Sequence, residues 1–403
     1  MAEVTWERGP FEKCPSCGQE RFGLLDVGKD RMVLRCADCR YSDAHPLPPL
    51  DKRVIYVDQF FFTLLFNVES GGRLPPGHES FAVEAHRRLK RLILLQQVVL
   101  PHSDVHHDET TVFHSAEQLR SCYEQFGGDA RLMDTREIER FQVEEFATAW
   151  LKGTEPTSSC NVDDVLDTER NGWLPRMHIQ VSANYEIFAD GIRSSRDETH
   201  DALQRLAARW ANEKPPFDVL LERELRQFFE RPQLLLEASQ RMDRAADNDD
   251  PMSIVDALHS PIFEETRMLQ SMFREGGIPE EQLGVAVSEF WKWQRNLELP
   301  HHRISCYLFA ALGRRVVAGQ KTIGRGMMND IRAISAYAPY VDAMFVDNEC
   351  SALLAEEPLL SGLDYKARIF SLSRGEAFLQ YLAEIEEATP IEVRDFAARI
   401  YGV

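Results

Sequence analysis

The sequence predicts an α/β protein in which a small parallel sheet is split by a large helical insertion and preceded by a zinc ribbon. Two Cys-x-x-Cys pairs lie near the N-terminus, short apolar runs occur early and late in the chain, and amphipathic stretches fill the middle. Uninterrupted short apolar runs are typical of parallel strands buried on both faces. We therefore expect a zinc ribbon at 1–45, a core in two parts at 46–125 and 301–403, and a helical insertion at 126–300.

The N-terminal cysteines have the spacing of a metal site. Cys14 and Cys17 form one pair, Cys36 and Cys39 form the other, and the 18 residues between the pairs read as a β-hairpin with a turn at Gly28. Two residues between thiolates let both sulfurs reach one tetrahedral ion, so the two pairs supply four ligands. Disulfides and a redox-active pair are the alternatives, and both are less typical of an intracellular chain. The sequence predicts a structural zinc ion.

The apolar runs of the core are predicted to be strands. The helices expected to follow the first strand are 60–68 and 79–97, and amphipathic stretches dominate from 110 to 300, where little strand signal occurs. The predicted strands are 52–58, 98–101, 343–347 and 368–372.

Acidic residues follow three of the predicted strands. Asp58 and Asp347 come directly after their apolar runs, and Asp104 follows the third run by a few residues. The carboxyl ends of parallel strands form the ligand crevice of such sheets, and converging carboxylates bind hard divalent cations such as Mg²⁺ or Mn²⁺. The alternative for each aspartate taken singly is a helix N-cap.

Two further acids occupy informative positions. Glu109 is the polar residue in an apolar helical stripe that begins at Val105, so its carboxylate should point inward and need a cation or a donor. Its alternative is a structural salt bridge or hydrogen bond. Asp330 is expected to open a short helix and could be its N-cap. His106 and His107 are expected to be surface or capping groups.

The order of these features resembles that of the PIN-like ribonucleases. The resemblance depends on Tyr56-Val57-Asp58-Gln59, the stretch from Pro101 to Thr110, Asn329-Asp330-Ile331 and Phe345-Val346-Asp347-Asn348. It implies that four acidic residues bind one or two Mg²⁺ or Mn²⁺ ions for phosphodiester hydrolysis, and it favours RNA over DNA as substrate. Carried over to this sequence, these residues are Asp58, Glu109, Asp330 and Asp347.

The charge distribution qualifies this expectation. Forty-six Lys and Arg against 65 Asp and Glu give a net charge of −19, which repels a polyanion at long range. The 31 residues from Leu299 to Asn329 nevertheless contain no acid and five basic residues. We expect Arg315, Lys321 and Arg325 from this window to contact the nucleic-acid backbone. The alternative is an ordinary solvated helix face followed by a loop.

The composition limits which other classes of protein are possible. With 44% hydrophobic and 28% charged residues, the chain is typical of a globular protein. The apolar runs are too short to span a bilayer, and the N-terminus has no apolar signal core, so we expect a cytoplasmic protein without a membrane partner. The alternative function is a catalytically inactive scaffold that binds nucleic acid or a protein partner through the ribbon and the helical insertion. The oligomeric state stays open.

Overall fold

The computed structural model describes residues 8–111, 116–174, 189–247 and 260–403 of the 403-residue chain. Within these residues, no helix combines the length and the apolar character that crossing a lipid bilayer would require. The strands are β1 (Arg8–Glu12), β2 (Phe22–Val27), β3 (Arg31–Cys36), β4 (Ser42–Pro46), β5 (Arg53–Val57), β6 (Val98–Val99), β7 (Ala343–Phe345) and β8 (Arg368–Phe370).

Helices make up most of the remaining structure. The α-helices are α1 (Gln59–Ser70), α2 (Glu79–Leu94), α3 (Asp104–Thr111), α4 (Ala116–Gly127), α5 (Thr135–Lys152), α6 (Ala189–Glu213), α7 (Phe217–Arg226), α8 (Arg231–Asp247), α9 (Pro261–Glu275), α10 (Leu283–Trp291), α11 (Pro300–Val317), α12 (Met327–Tyr337), α13 (Asn348–Leu354), α14 (Leu359–Gly362), α15 (Gly375–Glu387) and α16 (Ile391–Tyr401). Short 3₁₀ helices lie at Val162–Asp164, Gln227–Glu230, Glu280–Gln282, Gln294–Glu298 and Leu372–Arg374.

The central sheet is parallel and four-stranded, in the order β6-β5-β7-β8. The expected α/β class with a parallel sheet is therefore confirmed. Its strands come from two distant parts of the sequence, because β5 and β6 precede the long helical region and β7 and β8 follow it. Central strand β5 pairs with β7 in register, with Ile55 opposite Ala343 and Val57 opposite Phe345.

Both faces of the sheet are buried, which explains the uninterrupted apolar runs. In β5, Val54 and Tyr56 point into one hydrophobic core, which they share with α11 and α12. Ile55 and Val57 point into the other, which includes residues of α1, α2 and α15. This alternation places the long helical region and the N-terminal helices on opposite faces of one sheet.

Two helix boundaries differ from the sequence expectation: α2 ends at Leu94 and not at 97, and α12 begins before Asp330. Helix α12 begins at Met327, so Asp330 lies in its first turn and does not open it. Gly326 precedes the helix without a side-chain cap, and the amide of Asp330 donates to the Gly326 carbonyl at 3.0 Å. The carboxylate of Asp330 is consequently not used as an N-cap.

The N-terminal strands form a separate antiparallel sheet, in the order β1-β2-β3-β4. Its apolar side chains, including Phe22 and Leu34, share a small core with Val393 and Ala397 of α16. Trp173 lies in the same core, and its Nε1 donates to the carbonyl of Pro48 at 2.9 Å. The ribbon is thus held against the C-terminal helix.

Candidate functional site

The four N-terminal cysteines form a compact cluster that could hold zinc. Their sulfur atoms all lie within 4.8 Å of one another. The Sγ atoms of Cys14 and Cys39 are 3.5 Å apart, and those of Cys17 and Cys36 are 3.7 Å apart. Tetrahedral coordination at about 2.3 Å per Zn–S bond places sulfurs about 3.8 Å from each other, so the cluster has the dimensions of a zinc site.

The two Cys-x-x-Cys turns share one local geometry. Gly18 and Arg40 follow the second cysteine of each turn, and both have the left-handed conformation, with φ of 74° and 63°. Each donates its amide back to the first cysteine's carbonyl, at 2.9 Å to Cys14 and 3.1 Å to Cys36. Because four sulfurs fill a tetrahedral ion's coordination, this centre is suited to stabilising the fold and not to catalysis.

The second candidate site begins at the carboxyl ends of the adjacent strands β5 and β7. Asp58 is the N-cap of α1, and its Oδ1 accepts a hydrogen bond from the Gln59 amide at 2.6 Å. Asp347 is the N-cap of α13, and its Oδ1 accepts from the Cys350 amide at 2.6 Å. The N-cap alternative therefore holds for both residues, and within the described part of the chain the second oxygen of each carboxylate accepts no hydrogen bond.

Asp330 and Glu109 approach from the two helices beside these strand ends. The carboxylate oxygens of Asp330 and Asp347 lie within 4.8 Å of each other and of the Cys350 sulfur. Glu109 is 9% exposed, and its Oε1 accepts from Asn329 Nδ2 at 3.0 Å. Asp58 and Glu109 lie outside the compact group of Asp330, Asp347 and Cys350.

Burial and the charges of neighbouring acids raise the pKa values of Asp58 and Asp330. Burial, followed by the charge of Glu109, raises the pKa of Asp58 to about 7. Burial, followed by the charges of Asp58 and Asp347, raises the pKa of Asp330 to about 9. Burial also raises the pKa of Glu109. The donors are all hard oxygen ligands, and a cation among them would replace the protons that burial retains.

The basic residues expected to contact substrate differ in their surroundings. Arg315 Nη2 contacts Glu356 Oε1 at 2.5 Å, so an acid outside the acid-free window occupies this guanidinium. Arg325 is exposed and contacts Asp197 of α6 at 2.8 Å. Lys321 is exposed in the loop between α11 and α12, and this loop reaches α13 through Gln320, which donates to Glu349 at 2.6 Å.

Asp104, the third strand-end acid, belongs to a different network. Its Oδ1 accepts from Tyr337 at 2.9 Å and its Oδ2 accepts from Thr135 at 2.8 Å. Arg332 also contacts Oδ2 and holds the carboxylate in an ion pair. The positive charge that neutralises Asp104 therefore comes from Arg332.

Three residues near the acids were not identified from the sequence. Asn329 orients Glu109, and Arg196 of α6 brings its Nη2 to 3.9 Å from the same carboxylate.

His106 is buried, and its Nε2 lies 2.7 Å from the carbonyl of Val57, directly before Asp58. The expectation of a surface or capping role for His106 was wrong, because α3 packs this side chain against Tyr56. Only Asn329 carried a signal, as the neighbour of Asp330.

No protein-family model, no curated protein and no solved structure matches this chain. The structural findings are an α/β fold with a parallel sheet, an antiparallel ribbon and a four-cysteine cluster that could bind zinc.

Proposed function

We propose that this protein is a metal-dependent nuclease, an endonuclease with a PIN-like core, that hydrolyses phosphodiester bonds and favours RNA over DNA. The observation that carries the proposal is the approach of four buried or partly buried acids at the carboxyl ends of β5 and β7. These acids are Asp58, Glu109, Asp330 and Asp347. Perturbed ionisation of several groups in one cleft is typical of functional sites.

Three of the four acids have no cationic partner among the described residues, and the fourth, Glu109, has Arg196 at 3.9 Å. Among the described residues, Asp58, Asp330 and Asp347 are in no ion pair within 4.0 Å, whereas Asp104 pairs with Arg332 and Asp342 pairs with Lys366 at 3.2 Å. Concentrating unpaired carboxylates is costly unless they are protonated or bind a cation. A function that uses an external divalent cation accounts for this difference.

The proposed division of roles follows from the backbone. Asp58 and Asp347 extend from neighbouring strands and would ligate Mg²⁺ or Mn²⁺, while Glu109 and Asp330 would complete the site from α3 and α12. A bound ion would supply Lewis acidity, which assists water attack and offsets charge on the phosphate. Lys321 and Arg325 would hold the nucleic-acid backbone without reading its bases. Arg315 is the third expected contact, and its guanidinium is already paired with Glu356.

The preference for RNA comes from the resemblance to PIN-like ribonucleases, and the local chemistry supports a phosphodiester substrate of either kind. The net charge of −19 disfavours nonspecific binding elsewhere on the surface. The zinc ribbon would stabilise the fold and could present an additional nucleic-acid contact.

Cleavage assays on matched RNA and DNA panels, with and without Mn²⁺, test the proposal. We expect Asp58→Asn and Asp347→Asn each to lower cleavage at least about a hundredfold, because losing the ion removes several kcal/mol of transition-state stabilisation. Asparagine is as good an N-cap as aspartate, so both variants should fold. The matched control is Asp134→Asn, the same change at the N-cap of α5, a residue that is not a proposed ligand and pairs with Arg131 on the surface.

The outcomes separate the proposal from its main alternative. A folded Asp58→Asn protein that cuts at the wild-type rate would show that these acids are not the active site. A wild-type protein that binds RNA but cuts neither panel at any Mn²⁺ concentration would instead favour a catalytically inactive scaffold.

A further inference from the structure

A cavity of about 340 Å³ lies beside the acidic cluster, between α6 and α12. Ile192 and Arg196 line it from α6, Phe309 lines it from α11, and Met328 and Asn329 line it from α12. Two of these residues also contact Glu109: Asn329 donates to it, and Arg196 Nη2 lies 3.9 Å from it. The cavity and the proposed catalytic site therefore share a wall.

The polar lining of the cavity has a net positive charge. The guanidinium groups of Arg196, Arg325 and Arg332 and one carboxylate, that of Asp108, line the cavity, and Arg325 is paired with Asp197 outside this lining. Arg332 is committed to Asp104 and Thr135, and it lies 3.8 Å from Asp108. Arg196, whose nearest acid is Glu109 at 3.9 Å, is therefore the lining guanidinium that remains for an anionic ligand.

Arg196 is the guanidinium best placed to contact such a ligand. Its separation from Glu109 exceeds hydrogen-bonding distance, and it makes no hydrogen bond with any other residue that the structure describes. Its side chain is 30% exposed, so its donors are shielded but reachable from the cavity. A phosphate oxygen is the natural acceptor for an arginine that has its donors available.

The remaining lining is apolar and has the character of a base-binding surface. Phe309 and Met328 are partly buried side chains that pack on the main hydrophobic core, and Ile192 faces them from α6. Aromatic and apolar side chains bind nucleobases without sequence preference, because every base has a π-face. A volume near the lower limit of about 300 Å³ for small-molecule sites suits a single nucleotide.

We propose that this α6 cavity binds one unpaired nucleotide of the substrate, with Arg196 contacting its phosphate and Phe309 and Met328 contacting its base. The inference rests on the proposed function, since it assigns a substrate subsite to the same nuclease. The helical region would then form part of the active-site wall, and a paired base would have to leave its stack before it could enter.

Binding measurements test the α6 cavity independently of cleavage. Fluorescence anisotropy is recorded with a labelled single-stranded RNA, and with the same strand annealed to its complement, on full-length protein in an Asp58→Asn background. Adding Arg196→Gln should weaken single-strand binding about tenfold, the loss expected for one charge-assisted hydrogen bond. The matched control is Arg205→Gln, which changes an exposed arginine of α6 that does not line the cavity. The annealed duplex should bind at least about tenfold more weakly than the single strand.

The results distinguish the two proposals. If Arg196→Gln and Arg205→Gln bind the single strand equally, or if the duplex binds as tightly as the single strand, the α6 cavity is not a nucleotide site. Cleavage that still depends on Asp58 would then leave the nuclease proposal standing. If Arg196→Gln weakens binding selectively but the wild-type protein cuts no RNA or DNA, the nucleotide site stands and the nuclease proposal fails.

Discussion

Replacing Asp58 with asparagine should stabilise the protein in the absence of a divalent cation. The pKa of Asp58 rises from 3.8 to about 7 on folding, with burial as the largest cause and Glu109 as the next. Since one pKa unit corresponds to about 1.4 kcal/mol, this rise corresponds to about 4 kcal/mol of destabilisation above pH 7. Asparagine also loses hydration when buried, so we expect the substitution to raise the free energy of unfolding by about 1–3 kcal/mol.

The sign of the pH dependence follows from proton binding. Between about pH 4 and pH 7, the folded protein keeps a proton on Asp58 that the unfolded chain releases. The contribution of this residue to stability is therefore fully present below pH 3.8 and is lost as the pH rises through about 7. The Asp58→Asn variant has no such contribution to lose. Its free energy of unfolding should therefore exceed that of the wild type by more at pH 8 than at pH 6.

Thermal unfolding of the zinc-loaded protein at pH 6 and pH 8, with and without Mn²⁺, measures both effects. About 1 kcal/mol shifts the melting temperature by about 2–4 °C in domains of 150–250 residues, so the expected gain is readily detected. Mn²⁺ should stabilise the wild type more at pH 8, where it competes with fewer protons, and should stabilise Asp58→Asn little. Asp134→Asn is the control. If metal-free Asp58→Asn melts below the wild type at pH 8 while Asp134→Asn is unchanged, the electrostatic reasoning is wrong.

Two further predictions concern the zinc site and the packing around Gly127. The double variant Cys14→Ala/Cys17→Ala should lose about one equivalent of zinc by metal analysis, because two of four ligands are removed; full zinc content would contradict the assignment. Gly127→Ala should lower the melting temperature strongly, since an added Cβ would lie 2.3 Å from the carbonyl oxygen of Leu100. Gly284→Ala, where a Cβ meets nothing within 4 Å, should leave it almost unchanged, and equal effects of the two alanines would contradict the clash.

The central sheet could be predicted because its signal is local. A strand buried on both faces has to be apolar at every position, and the runs around Val57 and Phe345 meet this condition. The cysteine cluster was equally accessible, because the spacing within each pair fixes the reach of its sulfurs. Boundaries were less certain: α12 starts before Asp330 because Met327 is buried in the core, which the local pattern did not indicate.

Contacts between distant segments could not be predicted. The acid-free window suggested free basic groups, yet Glu356 binds both Arg314 and Arg315 from beyond the window. Likewise, nothing near Arg196 indicates that α6 brings it to Glu109. Charge pairing depends on which segments the fold brings together, so one sequence window does not determine whether its arginines are available.

The roles of N-cap and metal ligand, which the sequence presents as alternatives for Asp58 and Asp347, are compatible in the structure. In each carboxylate one oxygen accepts a backbone amide at 2.6 Å, and the other accepts no hydrogen bond from the described residues. The capping bond also fixes the side-chain orientation, which a metal site needs. Alanine would remove both roles and confound folding with catalysis, whereas asparagine keeps the capping oxygen and removes only the charge. A loss of cleavage in a fully folded asparagine variant would therefore reflect the charge of the carboxylate and not its cap.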